Sequence, residues 1–162
     1  MATNRELYAE SCVRIIRLIE FMVENNSKYP VIHNCFSSTP VRGLTISKFI
    51  YRFLDYMPTL SIDAFIIAVI HLDNFIVASK QRLTIHNVFR LFGTAFNLSV
   101  KFHEEAAGNP YDLFQRTIAC SGVTAADMYI QEIEFLECID YKMHIEPAQF
   151  HQYHTDILNI KA

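Results

Sequence analysis

Residues 61–78 read Ser61-Ile62-Asp63-Ala64-Phe65-Ile66-Ile67-Ala68-Val69-Ile70-His71-Leu72-Asp73-Asn74-Phe75-Ile76-Val77-Ala78. The run is apolar nearly all the way round a helix and contains no Gly or Pro. Its β-branched residues also suit a strand over 65–70, and periodicity alone does not exclude that. The uninterrupted length favours a helix, and a helix hydrophobic on nearly every side lies inside a bundle. The apolar stretch 64–72 is bracketed by Asp63 and Asp73 and contains His71, too short for a bilayer, which needs about 20 apolar residues. The next apolar pattern ends in Ser99-Val100-Lys101-Phe102-His103-Glu104-Glu105. A core helix beside one that ends in charge suggests a module that binds another protein and performs no chemistry of its own.

Working outward, residues 4–25 place Leu7, Tyr8, Ser11, Cys12, Ile15, Ile16, Leu18, Ile19 and Met22 at helical spacing, with Arg14, Arg17 and Glu20 opposite. Asn25-Asn26-Ser27 and Pro30 stop that helix. Residues 30–44, with Pro30, Pro40 and Gly43, form a connector. Residues 45–56 put Ile46, Phe49, Ile50, Phe53 and Leu54 on one face, ended by Met57-Pro58. Ser61 suits the N-cap of the helix over 62–78, because its hydroxyl can accept an orphan backbone N–H. Thr84 suits the same role for a helix running to about 105, which Gly108-Asn109-Pro110 ends. A short helix follows over 111–120. Ser121-Gly122-Val123-Thr124 breaks the chain, and either Thr124 or Ser121 caps a helix through 139. Glu146-Pro147 opens a last helix to about 158, with proline in the permitted first turn. The expectation is seven helices and no strand: an all-α bundle.

Composition narrows the class. A length of 162 residues fits one domain. A hydrophobic content of 51% with only four glycines argues against disorder and against a turn-rich β fold. The net charge of −3 leaves no electrostatic footprint for nucleic acid. Cys12, Cys35, Cys120 and Cys138 are far apart, with no Cys-x-x-Cys pair. Arg5, Glu6, Glu10, Arg14, Arg17 and Glu20 interrupt any signal-peptide core. Reduced thiols in an intracellular protein, in cytoplasm and/or nucleus, are expected. Asn25-Asn26-Ser27 and Asn97-Leu98-Ser99 match the glycosylation pattern, which a cytosolic chain would not use. His151 and His154, with Asp156, have metal-ligand spacing but no third ligand cluster, and read as exposed helix histidines. No phosphate loop, nucleophile elbow or paired-carboxylate pattern is present. Neither a cofactor, a metal, a membrane nor a small-molecule substrate is implied.

Several segments in order resemble the single-box cyclins of the phosphate-pathway (P/U-type) group, over about residues 36–145. Phe36-Ser37-Ser38 followed by Pro40, Ile46 and Tyr51-Arg52-Phe53 is similar to that family's opening. Ala68-Val69-Ile70-His71-Leu72-Asp73 resembles the cyclin-box Tyr-Ile-Asp-Arg signature, with Asn74 in place of the arginine. The segment from Leu83 to Leu91 is similar to Leu-x-x-x-Asn-Val-His-Arg-Leu, with Phe89 for His. Val100-Lys101-Phe102 resembles the Ala-x-Lys-Phe that ends the third box helix. Asp127-Met128-Tyr129-Ile130-Gln131-Glu132, Phe135-Leu136 and Ile139-Asp140-Tyr141 resemble Glu-Leu-Asn-x-Leu-Glu, Phe-Leu and Leu-Asp-Phe.

The resemblance implies a five-helix cyclin box over 36–145 around a buried central helix. Residues 1–30 would form an extra N-terminal helix packed on it, and 146–162 a short C-terminal helix. It implies a non-catalytic regulatory subunit that binds and activates a cyclin-dependent protein kinase by fixing the kinase αC helix. The alternative is a cyclin-fold adaptor in transcription or nucleic-acid binding. Lys101 and Glu132 would form the charged kinase-binding pair, with Phe102 beside them. Glu134 is the competing carboxylate, although spacing back from Tyr141 favours Glu132. Asp73 would pair with a basic residue of the first box helix, Lys48 or, the better match, Arg52, as a structural salt bridge. A docking patch of the kind some two-box cyclins use for substrates has no clear counterpart around 46–54.

Overall fold

The chain is described by a computed structural model covering residues 4–57, 60–103 and 110–161. Pro58, Glu104, Glu105 and the Gly108-Asn109 stop lie outside the described residues, as does the side chain of Leu7. Seven helices and no strand are present among the described residues. They are α1 (Asn4–Asn25), α2 (Ile46–Tyr56), α3 (Ile62–Ser79), α4 (Val88–His103), α5 (Pro110–Ser121), α6 (Ala125–Cys138) and α7 (Pro147–Leu158).

Helix α3 is the central rod, as its all-round apolar pattern requires, and α1, α4, α6 and α7 pack around it. Length and composition alone would let α3 cross a membrane, but half of that window is buried inside the bundle. Its closest partner is α4. Ser99 Oγ donates to the Ala64 carbonyl at 2.7 Å, a bond that small side chains at the crossing permit. Gly93 lets α5 approach α4 closely, since a Cβ there would stand 2.9 Å from Ser121 Oγ.

Phenylalanines tie the helices together. Phe53 of α2, Phe96 of α4 and Phe65 of α3 follow one another at ring-centroid separations of 4.6 and 4.8 Å. A second group joins Phe36 of the connector, Phe75 of α3 and Phe135 of α6, at 5.2 and 4.8 Å. All of these rings are buried. Truncating such a ring to alanine typically costs about 3–5 kcal/mol, lost transfer energy plus the cavity left behind. The second group matters most for function because it fastens α6 and sets where that helix's outer face points.

Helix ends follow the expected chemistry with two departures: Ser61 holds the N-cap position of α3 without a capping bond from its side chain, and α4 starts late. Thr45 Oγ1 accepts from Lys48 N at 3.0 Å, and Thr124, not Ser121, caps α6 by accepting from Asp127 N at 3.1 Å. Helix α4 begins at Val88, later than a Thr84 cap requires. Asn87 Oδ1 accepts from Thr84 N at 2.8 Å while Asn87 Nδ2 donates to the Arg82 carbonyl at 2.9 Å. That side chain closes a separate turn before the helix starts. Lys80 ends α3 in the left-handed conformation, φ 58°, a position glycine usually takes. The connector is pinned across the bundle: Arg90 donates to the Cys35 carbonyl at 3.1 Å, and Ser38 N to the His86 carbonyl at 2.7 Å.

Candidate functional site

Helix α6 presents an unusual surface. Met128, Gln131, Glu132 and Phe135 face inward, as helical spacing dictates. The outward face nonetheless carries Tyr129, Ile130 and Ile133, each more than half exposed. Phe102, on the last turn of α4, is also more than half exposed. Apolar side chains on both sides of a surface helix are not needed for folding, and a clustered apolar surface marks an interaction site.

A charged pair sits in this surface. Lys101 Nζ of α4 lies 3.4 Å from Glu132 Oε2 of α6. The two ends of the pair differ in environment: the lysine side chain is 45% exposed, the glutamate side chain 7%. Glu132 Oε1 accepts from Asn97 Nδ2, so both carboxylate oxygens are occupied. Burial pushes the Glu132 carboxyl up from its ordinary value, while the charge and hydrogen bond of Lys101 and the bond from Asn97 pull it down. The ammonium also lies 5.4 Å from the Phe114 ring centroid and 6.0 Å from that of Tyr129. Those rings confine Lys101 at the edge of cation–π range. The carboxylate therefore holds the lysine, and among the described residues the lysine keeps donors free.

One further buried polar side chain, Gln131, fastens α6, and a histidine pair links α3 to the end of α4. Gln131 reaches Thr94 Oγ1 at 3.1 Å and the Cys35 carbonyl at 3.4 Å. Just behind Lys101, His103 Nε2 of α4 meets the fully buried His71 Nε2 of α3 at 3.1 Å. Burial first, and His103 second, lower His71 to about 4. Burial also lowers His103, opposed by a hydrogen bond with the Met143 backbone and assisted by His144. Neither imidazole is protonated at neutral pH on this account.

The structure thus brings Lys101 and Glu132 together and places Phe102 in the same helical turn as Lys101. Glu134, two residues on, points to solvent and makes no ion pair among the described residues. The expected Arg52–Asp73 bridge is not formed. Asp73 Oδ2 instead accepts from the Tyr153 hydroxyl of α7 at 2.5 Å. Arg52 is exposed on α2, which packs on α1, α4 and α5, whereas Asp73 faces the α1–α7 side of α3. Lys48 is also engaged elsewhere, donating to the Gly43 carbonyl at 3.2 Å.

Reading the sequence missed Tyr129, Ile130 and Ile133, although their spacing on the side of α6 away from Met128 and Phe135 was a usable signal. It also missed Asn97, which no pattern marks as the partner of Glu132. Cys12 and Cys120 are buried and Cys35 and Cys138 half-buried, all four as free thiols. Burial, with Asp55, pushes Cys12 up to about 12, so packing and not reactivity describes it. No three His, Cys, Asp or Glu side chains come together to hold a metal among the described residues.

The family model described as Cyclin matches residues 15–143. The chain is 30% identical over 111 residues to Cyclin-U3-1 of Arabidopsis thaliana, a match covering 68% of this chain and 48% of that protein. The chain thus spans about half the length of the curated relative it matches.

Proposed function

The chain belongs to the cyclin family, with its likeness among the U-type members, and from that premise we propose that it binds and activates a cyclin-dependent protein kinase. Residues 36–145 act as the cyclin box, 1–30 as a helix packed on it and 146–162 as a C-terminal helix. The protein works inside the cell, in cytoplasm and/or nucleus, where such kinases are found. It is a regulator without catalytic chemistry of its own.

The observation that carries this reading is the exposed apolar face of α6 around a half-open ion pair. Tyr129, Ile130 and Ile133 supply the water-excluding contact that carries most binding energy at an interface. Lys101, pre-positioned by Glu132, donates to carbonyls at the end of a partner helix, where the dipole favours a cation. Because its second oxygen already serves Asn97, Glu132 is a positioning residue and Lys101 the contacting one. Glu134 lies on the outer side of α6, at the rim of the contact.

Kinase activity requires the αC glutamate to meet the β3 lysine. A partner that binds the inward αC position shifts the population toward it. Moving that equilibrium from 1:99 to 99:1 takes about 5.5 kcal/mol of differential binding. An interface of roughly 1,200–2,000 Å² supplies this when a few aromatic and aliphatic anchors are well packed.

The test is affinity capture with the tagged chain, with the recovered protein identified by mass spectrometry as a cyclin-dependent kinase. Lys101→Ala/Glu132→Ala and, separately, Ile133→Asp are expected to lower recovery at least about tenfold. Ile133 is exposed, so the second variant leaves stability unchanged within about 0.5 kcal/mol. Equal recovery with wild type and both variants refutes the contact. Absence of any such kinase from all three captures refutes the regulatory reading.

A further inference from the structure

A cleft of about 340 Å³ opens between α1, α3 and α7, on a different side of α3 from the α4 packing that carries Lys101. Its size falls within the roughly 300–1,000 Å³ of small-molecule sites. Leu18 and Met22 of α1, Val69 and Ile76 of α3, and Ile157 of α7 give it aliphatic walls. The polar side chains of its lining are Asp73, Asp156 and Tyr153, and none of the lining residues is basic.

Their chemistry is one-sided. Tyr153 donates its proton to Asp73 Oδ2, which leaves the phenol oxygen as an acceptor. Asp156 stands exposed at the mouth and accepts from Gln152 Nε2 at 2.9 Å through one oxygen. Each carboxylate keeps acceptor capacity beyond these bonds. Burial, the bond to Asp73 and the charges of Asp73 and Asp156 all push the Tyr153 phenol upward, so both carboxylates act on the same hydroxyl. Arg14, which touches the cleft-lining Ile160, is committed to the Ile160 carbonyl at 3.1 Å and to Glu10 at 2.9 Å.

An apolar cavity whose spare polar capacity only accepts, and whose charge is negative, selects a ligand with a hydrocarbon body and a cationic donor at one end. We propose that this cleft binds a small amphiphilic amine, its body between α1, α3 and α7 and its ammonium on Asp73 and Asp156. Charge-assisted bonds at the edge of a low-dielectric site supply the selectivity, and the aliphatic walls supply most of the affinity. The ligand is not a substrate, and the inference is independent of kinase binding, which uses another face.

Three probes of one shape separate the terms: cyclohexylmethylamine, cyclohexylmethanol and cyclohexanecarboxylate, titrated into the full chain at neutral pH by protein-observed NMR. The amine is expected to bind at least about tenfold more tightly than the alcohol, and the carboxylate not at all. Asp156→Asn, at an exposed position, is expected to narrow the gap between amine and alcohol, and Leu18→Trp to abolish binding of both by filling the cleft. Asp73→Asn adds to the first effect, with thermal unfolding recorded alongside because it also removes the Tyr153 bond. Equal binding of amine and alcohol, or an amine response indifferent to Leu18→Trp, overturns the proposal. So does light scattering that shows a dimer dissolved by Leu18→Trp, since a second copy of the chain would then be the occupant.

Discussion

The two carboxylates Glu132 and Asp73 sit on helices at different sides of the bundle, Glu132 held by Lys101 and Asn97 and Asp73 by Tyr153. Glu132 is held by a lysine whose side chain is nearly half in solvent, amid apolar groups that are themselves exposed. Asp73 is held by a phenol, amid apolar groups turned inward around a cleft. Folding explains the second arrangement, because a half-buried carboxylate needs a donor and α7 brings one. It does not explain the first. Folding alone gives no reason to leave Ile130 and Ile133 in water, and that surface is the one proposed to meet a partner.

The comparison can be broken at its foundation first. Phe135→Ala removes the ring that fastens α6 to Phe75 and Phe36, and is expected to cost about 3–5 kcal/mol in urea unfolding. An effect below about 1 kcal/mol would mean that α6, and the rim with it, is not fixed by that packing.

Acidification sharpens the comparison, because the His71–His103 contact lies behind the lysine side and not behind Asp73. His71 falls to about 4 in the folded chain and titrates near 6.5 unfolded. Between those values the unfolded state binds more protons, so the stability this residue contributes is complete above about pH 6.5 and is lost as pH falls through about 4. Urea midpoints are expected to fall steadily from pH 7 to pH 4.5, by up to roughly 2–3 kcal/mol in stability. His71→Gln should flatten that slope, and an unchanged slope would show that His71 is not held neutral.

The smallest effects separate the true partner of Asp73 from the rejected one. Tyr153→Phe is expected to cost about 1.5 kcal/mol, the lower end for a hydrogen bond to a charged group, since the carboxylate is only partly buried. Arg52→Ala should stay within about 0.5 kcal/mol, as an exposed side chain without an ion pair among the described residues does. The reverse order would restore the bridge that the structure replaces with a phenol.

These contrasts also mark what the sequence could show. The bundle was legible because residues 61–78 are apolar on nearly every side, and because Thr124 and Pro147 announce helix starts by local chemistry. The ordered resemblance pointed to Lys101 and Glu132, which the structure brings within 3.4 Å, while α6 turns Glu134 outward. The Asp73 partner was not legible. Sequence spacing says which residues share a face of α3 but not which helix covers that face, and Tyr153 is 80 residues away. The start of α4 was misplaced for a local reason, since the side chain of Asn87 competes with the backbone. Asn97 and Gln131 look in the sequence like any polar residue on an apolar helix.

The central claim is that the outer face of α6 beside Lys101 meets the kinase. Its most direct test is photo-crosslinking, with a benzoylphenylalanine placed at Ile133 in one chain and at the exposed Phe21 of α1 in another. Irradiating the captured complexes is expected to give a covalent kinase adduct from position 133 and none from position 21. An adduct at 21 without one at 133, or none at either in a complex that still co-purifies, would contradict it.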